Sequence, residues 1–246
     1  MIKFTFHGGM MMEIVLDDGY KILLDPYIRE NPQCVAEVSD FYDADLILIT
    51  HAASDHFGDA SELMECSHAK VICGREGFFK IKKECPNVQD DRYIPTIYGD
   101  ARTIHGVTIR TLPAWHGSGI MIDGIRHNYP PFGFVLQMAP RVTYYHPGDT
   151  AIFSDLKLIR DLYKPNVMVV GISNVTPAAP KEMTARDAAT VVGWITPDVA
   201  IPCHYYPGDP SLEEFMNNVQ VLAPYTEIKP SIGKSFTFEP CRVIDC

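Results

Sequence analysis

The sequence predicts an α/β fold, and three observations carry that expectation. Short apolar runs that stop at turns alternate with helix-like segments along the chain. The run 45–50 is apolar almost throughout, as in a strand buried on both faces. With 246 residues, 46% of them apolar, the chain can also bury a large core. There is no repeat, linker or low-complexity tract, so the expectation is a single domain over 1–246 made of two similar βα halves.

Residues 3–7 and 11–16 read as strands, Asp17-Asp18-Gly19 as a hairpin turn, and 20–24 as a third strand running into Asp25-Pro26. The strand 45–50 then delivers His51. A helix over 59–65, a strand over 69–73, a helix over 74–84 and a strand over 105–113 follow, the last ending just before His116. In the second half, 132–138 and 142–146 pair around the turn Ala139-Pro140-Arg141, and the second of them runs into Pro147-Gly148-Asp149-Thr150. A helix over 154–164 stops at Pro165, and 167–171 is a strand. The next helix opens at Thr184, with Asp187 three residues on as in a capping box, and closes before Pro197. Strand 198–203 ends at His204. Ser211-Leu212-Glu213-Glu214 is the clearer capping box, and Leu212, Phe215, Met216, Val219 and Leu222 follow it at helical spacing, a core-facing stripe.

Charge narrows the partners. The chain carries 21 Lys and Arg against 31 Asp and Glu, a net charge of −10, which repels a nucleic-acid backbone or an anionic membrane unless a basic patch intervenes; none is seen. No apolar run is long enough to cross a bilayer, and residues 1–9 lack the pattern of a signal peptide, so the expected location is cytoplasmic. Seven cysteines without a C-x-x-C pair read as reduced and mostly buried.

Several places share one grammar, in which an apolar strand ends and a metal-capable side chain follows. They are His51 with Asp55 and His56, then His116, Asp149 and His204. Imidazole nitrogens and carboxylate oxygens suit zinc, manganese or iron, and loops at strand ends bring distant positions together. A lone histidine after a strand is more often a hydrogen-bonded loop residue. Three donors crowded into Thr50-His51-Ala52-Ala53-Ser54-Asp55-His56 are another matter, because apolar packing gives no reason for them.

With these motifs the chain resembles the metallo-β-lactamase superfamily, whose signature is His-x-His-x-Asp-His after a buried strand. The match is His51-Ala52-Ala53-Ser54-Asp55-His56, followed in order by Pro113-Ala114-Trp115-His116-Gly117, Tyr145-His146-Pro147-Gly148-Asp149-Thr150 and Ile201-Pro202-Cys203-His204-Tyr205. It is most similar to the compact metal-dependent hydrolases related to L-ascorbate-6-phosphate lactonase. The resemblance implies a four-layer αββα sandwich holding one or two divalent ions, zinc first and manganese or iron as alternatives. It also implies a first metal site of His51, His116 and a bridging Asp149, and a second of Asp55, His56, His204 and the same Asp149. Asp55 and Asp149 are then the catalytic carboxylates.

Two positions depart from the family pattern. Ala53 stands where a second histidine is usual, so the second site is expected to be tighter and the first weakened, differently metallated or rescued by a residue such as His7. Gly9 stands where relatives often have a histidine, which makes the entrance to the site atypical. Asp25 is either an acceptor that fixes a ligand imidazole or a turn-forming Asp-Pro. His146 either touches substrate or serves as a structural hydrogen bonder. Arg126, His127, Asn128 and Tyr129 fall in a Pro- and Gly-rich loop suited to substrate contacts or to plain solvation, while Cys203, His68 and His105 read as structural or surface residues.

The reading that follows is a metal-dependent hydrolase in which a metal-activated water attacks an ester, lactone or phosphoester of a small molecule. The rival is a catalytically impaired member of the same fold that binds a metal or ligand. The resemblance also implies that assembly into homo-oligomers is common among relatives, without pointing to an interface.

Overall fold

The computed structural model describes residues 1–138, 141–177 and 179–240. Its first sheet starts as the expected meander, β1 (Ile2–Phe6), β2 (Met12–Val15) and β3 (Lys21–Leu24), all antiparallel. Parallel strands β4 (Leu46–Leu48), β5 (Lys70–Cys73) and β6 (Tyr93–Pro95) extend it. The second sheet holds β7 (Ala101–Ile104) and β8 (Val107–Pro113). A separate hairpin, β9 (Gly119–Ile122) and β10 (Ile125–Asn128), precedes its next strands, β11 (Phe132–Met138) and β12 (Val142–His146). Parallel strands β13 (Val167–Gly171), β14 (Val199–Cys203) and β15 (Glu227–Ile228) complete the second sheet, and β16 (Ser235–Phe238) returns to pair with β1. Each large sheet has seven strands, in the orders β16-β1-β2-β3-β4-β5-β6 and β15-β14-β13-β12-β11-β8-β7.

Side-chain alternation explains the layering. Leu24, Leu46 and Leu48 point into a core shared with Phe134, Tyr144 and Val169 of the other sheet. Their neighbours Leu23, Ile47 and Val71 point the other way, into a second core. There they meet Leu63 and Met64 of α2 (Ala60–Cys66) and Ile81 of α3 (Arg75–Glu84), which follow the single turn α1 (Ser54–Phe57). On the far side of the second sheet lie α4 (Leu156–Tyr163), α5 (Ala185–Ile195) and α6 (Ser211–Leu222). The result is the four-layer αββα sandwich, with sheets buried on both faces as the continuous apolar runs require. No helix among the described residues is long and apolar enough to cross a membrane.

Several local expectations need correction. The helix at Thr184 carries the formed capping box, its hydroxyl accepting from Asp187 N while Asp187 reaches back. Ser211 does not cap: Pro210 is the N-cap, and the Ser211 hydroxyl accepts from Lys181 Nζ while its own N–H donates to Asp209. In the stripe of α6, Phe215 and Val219 are buried but Leu222 is largely exposed, its backbone lying against Gly193 of α5. The strand expected from 105 begins at Val107, because His105 (φ 47°) and Gly106 form the turn that joins it to β7. The Pro- and Gly-rich segment around Arg126 is the β9–β10 hairpin rather than a loop. Among the five described cysteines, Cys73, Cys85 and Cys203 are buried, Cys34 is half-buried, Cys66 is exposed and all are free. Cys241, Cys246 and the turn residues Ala139 and Pro140 lie outside the described residues.

Candidate metal centre

The strand ends of both sheets converge. Asp25 follows β3, Thr50 and His51 follow β4, and the single turn α1 presents Asp55 and His56. The turn is locked from two sides: Phe57 is fully buried, and Gly58 (φ 45°) leaves no room for a Cβ, which would lie 2.2 Å from Pro26 O. From the second sheet, His116 follows β8, Asp149 follows β12 through Gly148, and His204 follows β14. Gly148 (φ 63°) is equally constrained, since a Cβ there would meet Phe132 O at 2.6 Å and Thr50 Cβ at 2.9 Å. The turn bearing Asp149 therefore rests directly on the residue before His51.

Two groups of donors result among the described residues: Asp55, His56, Asp149 and His204, and His51, His116 and Asp149. Asp149 Oδ2 lies 3.1 Å from His56 Nε2, 3.3 Å from His204 Nε2 and 3.8 Å from His116 Nε2. Asp55 Oδ2 is 3.2 Å from His204 Nε2 and 4.0 Å from His56 Nε2. Donors about 2.0–2.1 Å from a tetrahedral ion lie roughly 3.3 Å from one another, so the four-donor group has the spacing of a coordination shell.

The residues fit a metal on a second ground, the way each buried imidazole is held by Nδ1. His56 Nδ1 is 2.8 Å from Asp25 Oδ2, and His51 Nδ1 is 3.2 Å from Thr50 Oγ1, whose own proton goes to Asp25 at 2.8 Å. His204 Nδ1 faces Ser173 O and Glu182 Oε2, each at 3.3 Å. The Nε2 atoms of His56 and His204 are left facing Asp55 and Asp149, and those of His51 and His56 are buried without a hydrogen-bond partner. A buried ring nitrogen without a partner is costly in apolar surroundings and is what a cation relieves. The donor set of imidazole nitrogen and carboxylate oxygen suits zinc, manganese or iron.

Electrostatics follows from this crowding. Burial and the neighbouring His56 push His51 down to about 3, leaving it neutral. Burial also disfavours a charged His204, but Asp149, Asp55 and Glu182 outweigh it and raise the group to about 10. His56 is likewise raised, by Asp149 and Asp25 against burial. Burial raises Asp149 and Asp25, yet the imidazoles around them hold both well below the usual carboxylate range.

Asp25 is the acceptor for a buried imidazole of the donor group, His56. It is fully buried, adopts φ 46°, and takes Thr50 N, Thr50 Oγ1, His56 Nδ1 and His146 Nε2 onto its two oxygens. His146 is also fully buried, hydrogen-bonded between Asp25 at 3.0 Å and the Tyr144 hydroxyl at 2.8 Å. His7 does not join either donor group: its Nε2 sits 3.0 Å from Glu13 and its ring meets the edge of Phe41, so it does not replace the donor missing at Ala53. His127 lies in β10 and does not line the cleft beside His116, which Arg126 and Asn128 do. Gly9 (φ 57°) holds His204 by its carbonyl, which accepts from His204 N at 2.7 Å. Cys203 is buried against Met10, His68 bonds Asp45 at the surface, and His105 stacks on Tyr20.

Sequence reasoning missed Thr50, Tyr144, Ser173 and Glu182. Thr50 carried a signal, being the polar last residue of an apolar run immediately before a candidate ligand. Glu182 carried none, because only the fold brings it to His204.

Fold and site together define a metal-binding αββα protein. The model of the beta-lactamase superfamily domain matches residues 20–205. A UPF0173 metal-dependent hydrolase of Pyrococcus horikoshii is 34% identical over 93% of this chain and 96% of its own length. One of Methanopyrus kandleri is 33% identical over 92% and 95%. Among solved structures, Igni18, a metallo hydrolase from Ignicoccus hospitalis, aligns with TM-score 0.78 and 26% identity over 97% of this chain and 99% of that one. The chain belongs to the beta-lactamase superfamily and, within it, to the UPF0173 metal-dependent hydrolases.

Proposed function

We propose that the chain holds two divalent ions, zinc first and manganese or iron as alternatives, and hydrolyses an ester, lactone or phosphoester of a small molecule. The observation that carries this reading is the single oxygen of Asp149 that faces imidazoles of both donor groups. It also favours reading 1–246 as one functional unit, because Asp149 and His204 of the second sheet complete what His51, Asp55 and His56 of the first begin. A divalent cation bound there supplies Lewis acidity and lowers the pKa of water towards neutrality.

The chain's own residues do the rest. Asp149, almost fully buried, stays ionised and faces the Nε2 atoms of His56, His116 and His204. Asp55 keeps 23% of its side chain exposed, and in this reading its carboxylate would either hold the ion or orient the attacking water. Asp25, Thr50, Ser173 and Glu182 hold the imidazole tautomers.

A second reading rests on Ala53, which leaves the first group three donors against four in the second. In it a single ion sits in the four-donor group and the chain binds a ligand without turning it over. The two separate on p-nitrophenyl acetate, bis-p-nitrophenyl phosphate and a simple lactone, each assayed after chelation and after reloading with zinc, manganese or iron. The hydrolase reading expects turnover in at least one class, restored by metal and lowered about 10²–10⁴-fold by Asp55→Asn. Full metal loading without turnover of any class contradicts it.

A further inference from the structure

A cleft of about 730 Å³ opens beside the metal ligand His116, and its walls are chemically uneven. Trp115, Tyr98 and Tyr129 line it, and the β9–β10 hairpin contributes Arg126 and Asn128. Trp115 is 65% exposed; its indole stacks on Phe153 at 5.8 Å, while its main-chain N–H donates to Thr150 Oγ1 and its main-chain carbonyl accepts from Ala151 N. The main-chain bonds tie residue 115 to the turn that bears Asp149, and Phe153 backs the indole.

Arg126 is the one Lys or Arg among the described residues that line the cleft. Its Nε donates to Asn128 Oδ1 at 3.0 Å, which orients the guanidinium while leaving its terminal nitrogens free of described partners. Gly119, opposite Asn128 in the hairpin, makes room for the pair, since a Cβ there would meet Asn128 Oδ1 at 2.6 Å and Arg126 Nε at 3.3 Å. Ser118, also in the lining, is nine-tenths buried, and its hydroxyl has no hydrogen-bond partner. In a chain of net charge −10, a single oriented cation beside an unpaired hydroxyl and exposed aromatic rings is a recognition pattern.

We infer that the non-reacting part of the substrate is a planar, aromatic ring bearing an anionic group, with the ring on Trp115 and the anion on Arg126. This names the substrate class of the site and so rests on the hydrolase reading. The anion is remote from the bond that water cleaves, which separates it from a phosphoryl group reacting at the metals.

The test uses metal-loaded full-length protein and two matched pairs of probes. Phenyl acetate and 4-carboxyphenyl acetate share ring and scissile bond and differ in the remote charge. Benzoate and benzyl alcohol, followed by Trp115 fluorescence in a Trp194→Phe background, report binding without turnover. The inference expects the anionic member of each pair to be preferred about tenfold. Arg126→Ala should abolish the preference with the neutral member changed less than about twofold, Arg126→Lys should restore part of it, and Trp115→Ala, read by the kcat/KM of the two esters and by calorimetry for benzoate and benzyl alcohol, should weaken both members alike. If neither ester is turned over but benzoate binding still depends on Arg126, the inference stands and ester hydrolysis fails. Turnover or binding indifferent to Arg126 overturns the inference and leaves the hydrolase reading intact. Benzoate binding that survives Arg126→Ala and vanishes on chelation assigns the anion to the metals and overturns it too.

Discussion

Asp25 Oδ2 stands 2.8 Å from His56 Nδ1, both side chains fully buried, and this pair leaves Nε2 as the ring nitrogen that His56 turns to Asp149. The same oxygen takes His146 Nε2 at 3.0 Å, and the Tyr144 hydroxyl closes the chain behind it. Burial raises the Tyr144 phenol well above its ordinary range, so it stays protonated and donates to His146 Nδ1. The proton on His146 Nε2 is thereby directed at Asp25. The carboxylate's left-handed backbone (φ 46°) is a conformation that costs a non-glycine residue about 1 kcal/mol or more, and it puts the group at the crossing of the two sheets.

Asp25→Asn keeps the volume and removes the charge that orients His56. It should weaken the tighter metal site about 10–100-fold, read by competition with a chelator of known affinity. An unchanged affinity would show that Thr50 alone sets the tautomer.

Ala53→His restores the donor that the three-membered group lacks. The expected outcome is a more tightly held second ion, seen as slower loss of one equivalent during dialysis against chelator, with the first equivalent unaffected. A loss rate for that equivalent unchanged from the wild type would mean that position 53 does not address the group.

The imidazoles that carry protons in the ion-free protein must shed them to bind. His204 is raised from 6.5 to about 10 by Asp149, Asp55 and Glu182, so at neutral pH it is protonated until an ion displaces the proton. Metal affinity should therefore rise with pH across 6–8, with proton release measurable by calorimetry in buffers of different ionisation enthalpy. Binding independent of pH over that range would contradict the assignment. For folding in the absence of metal the sign is opposite: the raised value contributes stability that is complete below 6.5 and lost as pH rises through about 10.

Glu76, near the start of α3, is buried with Oε2 unpartnered, and burial raises its carboxyl from 4.5 to about 7. Its stabilising contribution is complete below 4.5 and lost as pH rises through about 7, because the ionised form is the one burial penalises. Glu76→Gln should remove that dependence and make the protein more stable at pH 8 by about 2 kcal/mol. Denaturant titrations of both proteins at pH 5 and pH 8 check it, and equal differences at the two values would contradict it.

The convergence of the donor residues was legible because each follows a strand end within a few residues, and His51, Asp55 and His56 lie within a few residues of one another. What surrounds them was not. Whether Asp25 served a turn or an imidazole depended on His56 and His146 arriving from two other elements, the latter 121 residues away. The same holds for Glu182 at His204 and for β16, which pairs with β1 across the length of the chain. Edge strands of two to four exposed residues, such as β7 and β15, have too little apolar content to show a period. The β9–β10 hairpin is a different case, since Asp123-Gly124 between Ile122 and Ile125 is a two-residue turn signal, and both turn residues have positive φ. The prolines that follow it point to a loop and mask the turn signal. At the helix starts Thr184 caps and Ser211 does not, because Lys181 and Asp209 engage Ser211 instead, a tertiary contact that the four-residue pattern does not contain.

Metal content per chain, measured by elemental mass spectrometry on protein purified without chelator or added metal, tests the shared role of Asp149 most directly. The account predicts close to two ions in the wild type and loss of both in Asp149→Ala, with the variant still folded by circular dichroism. A wild type that holds no ion and regains none from zinc, manganese or iron, or a variant that keeps both, would contradict it.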